Sequence, residues 1–151
     1  MISILQIKKL RQETNISVSE CKKALEQAKG DFAKAKEILR KWGKELAGKK
    51  AERRAGLGIV DSYIHPDKRK GAMIEVRCET DFVAKSEDFR NLAHELCLQI
   101  TAMDPEKDSF LSQPWIKDES RTIKDLIQEY IAKLGENIAL RRFARFKVGE
   151  E

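Results

Sequence analysis

Apolar residues in the first part of the chain recur every three or four positions, which is the spacing of one face of an α-helix. A turn is expected at Thr14-Asn15, and Ser17 followed by Glu20 has the form of a capping box that starts a second helix. Gly30 ends that helix, and Asp31 occupies the N-cap position of a third. The positions predicted to form the apolar faces are Ile4, Leu5, Ile7, Leu10, Cys21, Ala24, Leu25, Ala28, Phe32, Ala35, Ile38, Leu39 and Trp42.

The pattern then changes twice. Residues 44–56 are rich in Lys, Arg, Ala and Glu with almost no apolar stripe, which predicts a solvated connecting helix that Gly56 and Gly58 end. Two runs of β-branched and alternating residues follow at 59–64 and 72–78, separated by a polar turn at 65–71. We therefore predict an antiparallel hairpin.

The rest of the chain is predicted to contain two helices and a strand. A long apolar stripe predicts a helix over 86–103, which Asp104-Pro105 ends. A second helix is expected over 122–134, before Gly135, and a strand over 138–148. The predicted fold class is α+β, in which a small antiparallel three-stranded sheet packs against helices. The predicted divisions are a three-helix module at 1–43, a basic linker helix at 44–56 and an α+β core at 57–151.

Charge and cysteine content limit the classes of function. No apolar run approaches the about 20 residues that span a bilayer, and the start lacks a signal peptide's apolar block, so we expect a cytoplasmic protein without a membrane partner. Cys21, Cys78 and Cys97 have no metal-type spacing, and we expect reduced, mostly buried thiols. The net charge is +5, and residues 1–56 hold 15 basic against 7 acidic residues. The excess of basic residues in this N-terminal part of the chain indicates an acidic partner.

The sequence lacks the residue patterns of common enzyme families. It contains no glycine-rich phosphate loop, GxSxG, HExxH or CxxC motif. Of its two histidines, His94 lies off the apolar stripe of its helix, as a solvated imidazole would, and His65 lies in the hairpin turn. We therefore predict a protein without bond-breaking chemistry, metal or cofactor.

The most informative segment is 78–84, where the second strand gives way to the long helix. Residues at such an exit can be presented to a partner by a rigid scaffold. Alternatively, Phe82 completes the local core and Asp81 caps the helix, and the residue types alone favour this reading because core aromatics outnumber exposed ones.

Thr80-Asp81-Phe82-Val83-Ala84 resembles the signature of the elongation factor Ts family, and the resemblance extends over nearly the whole chain. Other segments resemble the family's N-terminal ubiquitin-associated-like (UBA-like) module or its core. These segments are Leu10-Arg11, Thr14, Cys21 to Leu25, Gly30-Asp31, Ser62 to His65, Gln113 to Asp118, Gly135 to Ile138 and Arg141 to Phe143.

This resemblance implies a guanine nucleotide exchange factor that binds the GTPase elongation factor Tu and promotes GDP release. The Asp81-Phe82 pair would act as a wedge near the magnesium and phosphate site of the GTPase, and the N-terminal module would dock on its nucleotide domain. The partner-binding residues it implies are Thr80, Asp81, Phe82, Val83 and Ala84, with Tyr63 and His65 as secondary contacts and Ile16, Val18, Lys22 and Lys23 on the module.

Two departures from the family pattern change these expectations. Larger members carry a second core half and a helical hairpin, and nothing between Asp104-Pro105 and Pro114 can encode either. The resemblance implies that compact members compensate by pairing, and an exposed edge strand gives a physical motive, so we expect a homodimer. The linker reads Arg54-Ala55-Gly56-Leu57-Gly58 where the family usually has an acidic residue.

Three other functions remain alternatives at this point. A basic RNA-binding module would explain the charge of residues 1–56, but the linker offers no aromatic stacking platform between Trp42 and Tyr63, so nucleic acid is not the expected partner. A ubiquitin-type adaptor would explain only the three predicted N-terminal helices. An enzyme of an unrecognised kind would have to turn over a substrate without elongation factor Tu.

Overall fold

The N-terminal module consists of helices whose starts are fixed by local capping. The computed structural model describes residues 2–150. Hydroxyl or carboxylate oxygens of Ser3, Ser17 and Asp31 accept hydrogen bonds from the first turns of the three helices, as N-caps do. The helices are α1 (Ile4–Thr14), α2 (Val18–Gln27) and α3 (Phe32–Lys50). The three predicted helices are confirmed.

The apolar face of α1 differs from the prediction. Leu10 is fully buried, but Ile4 and Leu5 are 72% and 78% exposed. At 3.6 residues per turn, these two positions lie about 120° and 140° around the helix from Leu10, so they cannot share its contact with α2 and α3. Ile2 packs on the module core instead.

Helix α3 joins the module to the core without a break. The predicted linker helix is not a separate element, because residues 44–50 extend α3. Gly43 and Ala47 are buried, and an added Cβ on Gly43 would lie 3.3 Å from the Ala132 Cβ. The second half of α3 therefore packs closely rather than being solvated on all sides. The division into domains at 43 and 56 stays a prediction.

The core is built on a three-stranded antiparallel sheet, as predicted. The elements after α3 are β1 (Leu57–Ile64), β2 (Lys70–Cys78), α4 (Asp81–Ala84), α5 (Glu87–Met103), β3 (Pro114–Trp115), β4 (Asp118–Thr122), α6 (Ile123–Leu134) and β5 (Ala139–Lys147). The strand order in the sheet is β1-β2-β5, with a bulge between Glu75 and Val76 where β2 pairs with β5. Helix α5 follows its N-cap Ser86 and packs on this sheet, and Thr122 caps α6.

The predicted stripe of α5 forms the centre of the core. Its members from Phe89 to Ile100 have essentially no exposed surface, although Met103 is 48% exposed. A short 3-10 helix at Phe110–Ser112 and the β3-β4 ladder were not predicted from the sequence. Among residues 2–150, we find no helix with the length and apolar character needed to cross a membrane.

Burial also controls the chemistry of the cysteines. Cys21, Cys78 and Cys97 are free and buried within the chain, which confirms the predicted burial. Burial raises the pKa of all three thiols, and that of Cys97 rises to about 12. Since the thiolate is the reactive form, we expect the native protein at pH 8 to react with a disulfide reagent such as DTNB far more slowly than the unfolded protein. Stoichiometric labelling of the native protein within seconds would contradict this expectation.

Candidate partner-binding site

The turn from β2 to α5 exposes a phenylalanine. Phe82 is 87% exposed and its neighbour Asp81 is also exposed, whereas Val83 and Ala84 are 4% and 3% exposed. Thr80, rather than Asp81, is the N-cap of α4, and its hydroxyl accepts a hydrogen bond from the Val83 N–H at 3.3 Å. The reading in which Phe82 fills its own core and Asp81 caps the helix is therefore wrong. We call residues 79–84 the Phe82 turn.

The Phe82 turn is held by a residue that is distant in sequence. The Glu136 carboxylate accepts hydrogen bonds from the backbone N–H groups of Glu79 and Thr80, both at 3.0 Å. It also accepts one from the Thr80 hydroxyl at 2.7 Å. Hydrogen bonds to a charged acceptor are roughly twice as strong as neutral ones. The turn is thus fixed at its base while its tip projects into solvent.

Asn137 connects this base to the end of α3. Its backbone N–H donates to the Glu79 carboxylate at 2.6 Å, and its side-chain amide donates to the Arg53 carbonyl at 2.8 Å. Arg53 in turn lies 3.7 Å from Glu79 as an ion pair. We call the hydrogen bonds of Glu79, Glu136 and Asn137 the Glu136 brace. The site-residue prediction missed Glu136 and Asn137, although they belong to a segment that had resembled the family.

The secondary candidates lie at the other end of the hairpin. The half-buried Tyr63 ring makes edge-to-face pairs with the rings of His65 and His94, with ring centroids 6.4 and 6.0 Å apart. The His65 Nδ1 lies 3.1 Å from a carboxylate oxygen of Asp67 in the hairpin turn. Six strand residues separate the position opposite Tyr63 from the end of β2, which is roughly 20 Å at about 3.3 Å per residue. The structure therefore does not bring Tyr63 and His65 together with Phe82.

The module candidates form a third surface. Val18 is 54% exposed, and Lys22, one helical turn further on the same face of α2, is exposed, as is Lys23. Ile16 is half-buried and packs against the module core. Val18, Lys22 and Lys23 are therefore free to contact another molecule, whereas Ile16 mainly supports the start of α2.

Sequence comparisons identify the proteins that this chain resembles. A family model described as elongation factor TS matches residues 79–151. The curated elongation factor Ts of Moorella thermoacetica is 41% identical, over 99% of this chain and 97% of that protein. The corresponding proteins of Coprothermobacter proteolyticus and Thermodesulfovibrio yellowstonii are 40% and 41% identical, over 99% of this chain and 99% and 97% of their own lengths. The chain belongs to the elongation factor Ts family.

Membership in the elongation factor Ts family places the chain among translation elongation factors. The family match begins at Glu79, so it contains both the Phe82 turn and Glu136. The alignment with the Moorella elongation factor Ts spans 196 positions, so at least 45 of them have no counterpart in this chain of 151 residues. The Phe82 turn and its brace are thus present in a shorter member of the elongation factor Ts family. In residues 2–150 no three His, Cys, Asp or Glu side chains are grouped as a metal site.

Proposed function

We propose that this chain binds elongation factor Tu in its GDP-bound form and promotes release of GDP, acting in the cytoplasm. The observation that carries the proposal is the 87% exposure of Phe82 on a turn fixed at its base. Exposing a phenylalanine to water is unfavourable, since burial of such a side chain is worth about 1.5–3 kcal/mol. A partner that covers the ring recovers this free energy.

The release of GDP follows from thermodynamic linkage. If this protein weakens GDP binding to elongation factor Tu by a given factor, GDP weakens binding of this protein by the same factor. Bound Mg²⁺ is the largest local charge at a phosphate site, so displacing it removes the charge that neutralises the diphosphate. An aromatic ring flanked by the Asp81 carboxylate has the shape and charge to disturb such a site. The protein itself supplies no bond-breaking chemistry in this proposal.

The predicted contact residues take different parts in this proposal. Thr80, Asp81 and Phe82 touch the GTPase directly, and the exposure of all three residues supports this part. Val83 and Ala84 are buried and act by anchoring the Phe82 turn in the core. Tyr63 and His65 form a separate contact at the hairpin end. Val18, Lys22 and Lys23 present the surface with which the module docks on the nucleotide domain, and Ile16 supports it.

A nucleotide-release assay tests this function. Elongation factor Tu loaded with fluorescent GDP is mixed with excess unlabelled GDP and a substoichiometric amount of this protein. An exchange factor acts repeatedly, so release from the whole GTPase population should accelerate. Acceleration limited to the fraction of GTPase matched by this protein would indicate simple sequestration. No acceleration at any ratio would refute the proposed function.

We also propose that the chain forms a homodimer through the outer face of its sheet. Val60, Ile64, Met73 and Phe146 are 56–78% exposed, and the strand register places them on the same face. Ile64 and Phe146 both pair with Gly71, which has no side chain to cover them. The exposed apolar side chains lie on this face beside the Glu75–Arg142 ion pair, and an exposed apolar group rimmed by polar residues marks an interaction surface. A two-fold axis would bury this face against the same face of a second copy.

We expect the double substitution Met73→Glu and Phe146→Glu to convert the dimer to a monomer, because it would bury four like charges in one interface. Light scattering coupled to gel filtration should then show the mass falling by half. Leu5→Glu is the control, since Leu5 is 78% exposed but lies on α1, away from the sheet. A parent protein that runs as a monomer at micromolar concentration would contradict the dimer proposal.

A further inference from the structure

The Phe82 turn is too short to hold its own shape. Helix α4 has four residues, and an isolated helix of that length is not stable in water. Of its residues, Val83 and Ala84 are buried and Asp81 and Phe82 project outward. Two buried residues fix the C-terminal half of the turn, so its N-terminal half depends on contacts from elsewhere in the chain.

Glu136 supplies those contacts and also orients the capping hydroxyl. Because the Thr80 hydroxyl donates its hydrogen to Glu136, its oxygen is left to accept from the Val83 N–H. A hydroxyl that donated to water could turn away from this arrangement. The carboxylate thereby fixes both the backbone before α4 and the cap of α4. In the opposite direction, the Asn137 backbone N–H donates a hydrogen bond to the Glu79 carboxylate.

The position of Glu136 is itself fixed. It follows Gly135, which ends α6 in the left-handed conformation with φ of 74°. The Lys50 ammonium donates to the Gly135 carbonyl, and the Asn137 side-chain amide donates to the Arg53 carbonyl, so the residues on both sides of Glu136 are tied to the end of α3 and to the turn that follows it. Glu136 therefore transmits the rigidity of two helices to the Phe82 turn.

We propose that Glu136 is a positioning residue for nucleotide release, which holds Phe82 in the geometry that the GTPase meets. The inference rests on the proposed exchange function. A contact residue that is ordered before binding loses less conformational entropy when it binds. Removing the brace leaves the Phe82 side chain present but lets its turn sample other conformations. Binding of this protein to the GTPase and its acceleration of nucleotide release should then both weaken, because Phe82 is no longer held in one geometry.

Amide hydrogen exchange on the free protein tests the brace without any partner. Glu136→Gln keeps the size of the side chain but removes its charge and one of its two acceptor oxygens. We expect the Glu79 and Thr80 amides to exchange about tenfold faster, while the amides of α5 keep their protection. Glu119→Gln, at an exposed position on β4, should change neither. Unchanged protection at Glu79 and Thr80 would overturn the proposal.

A double-mutant cycle tests the link to nucleotide release. We expect Glu136→Gln to reduce the acceleration of GDP release about tenfold in the parent and to have almost no effect in a Phe82→Ala background. A general loss of stability would lower activity by the same factor in both backgrounds, and that result would overturn the proposal. If Phe82→Ala alone had no effect, the assignment of the wedge to Phe82 would fail, whereas the amide exchange result would still decide whether Glu136 orders the turn.

Discussion

The double substitution Asp81→Ala and Phe82→Ala is expected to reduce the acceleration of GDP release from elongation factor Tu on the order of 100-fold. Truncating a central aromatic contact typically costs at least about 2 kcal/mol, and the adjacent carboxylate adds to it. The free energy of unfolding should change by no more than about 0.5 kcal/mol for each exposed substitution, since neither side chain fills the core. Fluorescent GDP release and chemical denaturation measure the two quantities.

A matched control removes a carboxylate and a large exposed apolar side chain elsewhere on the surface. Asp108 and Leu111 lie in the connection between α5 and β3, and both are exposed. Asp108→Ala with Leu111→Ala should therefore leave nucleotide release within about twofold of the parent. A comparable loss in this control would show that exchange is sensitive to general changes of surface rather than to the Phe82 turn. Full activity of the Asp81→Ala and Phe82→Ala protein would remove the basis for assigning the wedge to this turn.

Phe89→Ala is expected to have the opposite effect from the change at Phe82. Phe89 has no exposed surface and packs in the core of α5 and the sheet, so its truncation should cost about 3–5 kcal/mol of unfolding free energy. That is a large fraction of the about 5–15 kcal/mol that stabilises a typical domain. Urea denaturation should show a lower midpoint with a similar slope.

The two phenylalanines are seven positions apart and separate stability from function. The folded fraction of the Phe89→Ala protein should accelerate GDP release from elongation factor Tu nearly as much as the parent does, because the Phe82 turn is retained. The Phe82→Ala protein should have the stability of the parent but should accelerate GDP release much less. If Phe82→Ala destabilised the fold as much as Phe89→Ala, the exposure of the Phe82 ring would not describe the protein in solution, and its role as a contact residue would have to be abandoned.

Much of the fold follows from signals that are local in sequence. Ser17, Asp31, Ser86 and Thr122 cap helices because each hydroxyl or carboxylate reaches a backbone N–H three residues ahead, and this spacing is visible in the sequence. The three strands follow from β-branched or alternating runs. Ladder β3-β4 has two and five residues, which is too short for a period to emerge.

The continuity of α3 could not be predicted in the same way. The side chains that pack its second half on the core are small, and Gly43 adds no apolar surface to a hydrophobic pattern. Its burial depends on close approach to Ala132, 89 residues later in the chain. The spacing of large apolar residues therefore predicts that such a helix is solvated, although small residues permit the closest packing.

The candidate site was predicted only in part. The residue types at Asp81 and Phe82 favoured a buried ring, and the family resemblance was what indicated an exposed contact. The outcome depends on which side of the β2 exit faces the core, and Val83 and Ala84 occupy that side. Glu136 could not be found from local pattern, because its partners lie 56 and 57 residues away. The hydrogen bonds from the Glu79 and Thr80 amides to Glu136 form only when folding brings these residues together.

We propose that Phe82 loosens the nucleotide within the complex rather than only strengthening docking. The most direct test is the rate of GDP release from elongation factor Tu at saturating concentrations of the parent and of Phe82→Ala. We predict that the limiting rate falls at least tenfold in the variant, as expected when an interaction acts in the rate-limiting step. An unchanged limiting rate, reached only at higher concentrations of the variant, would contradict the claim.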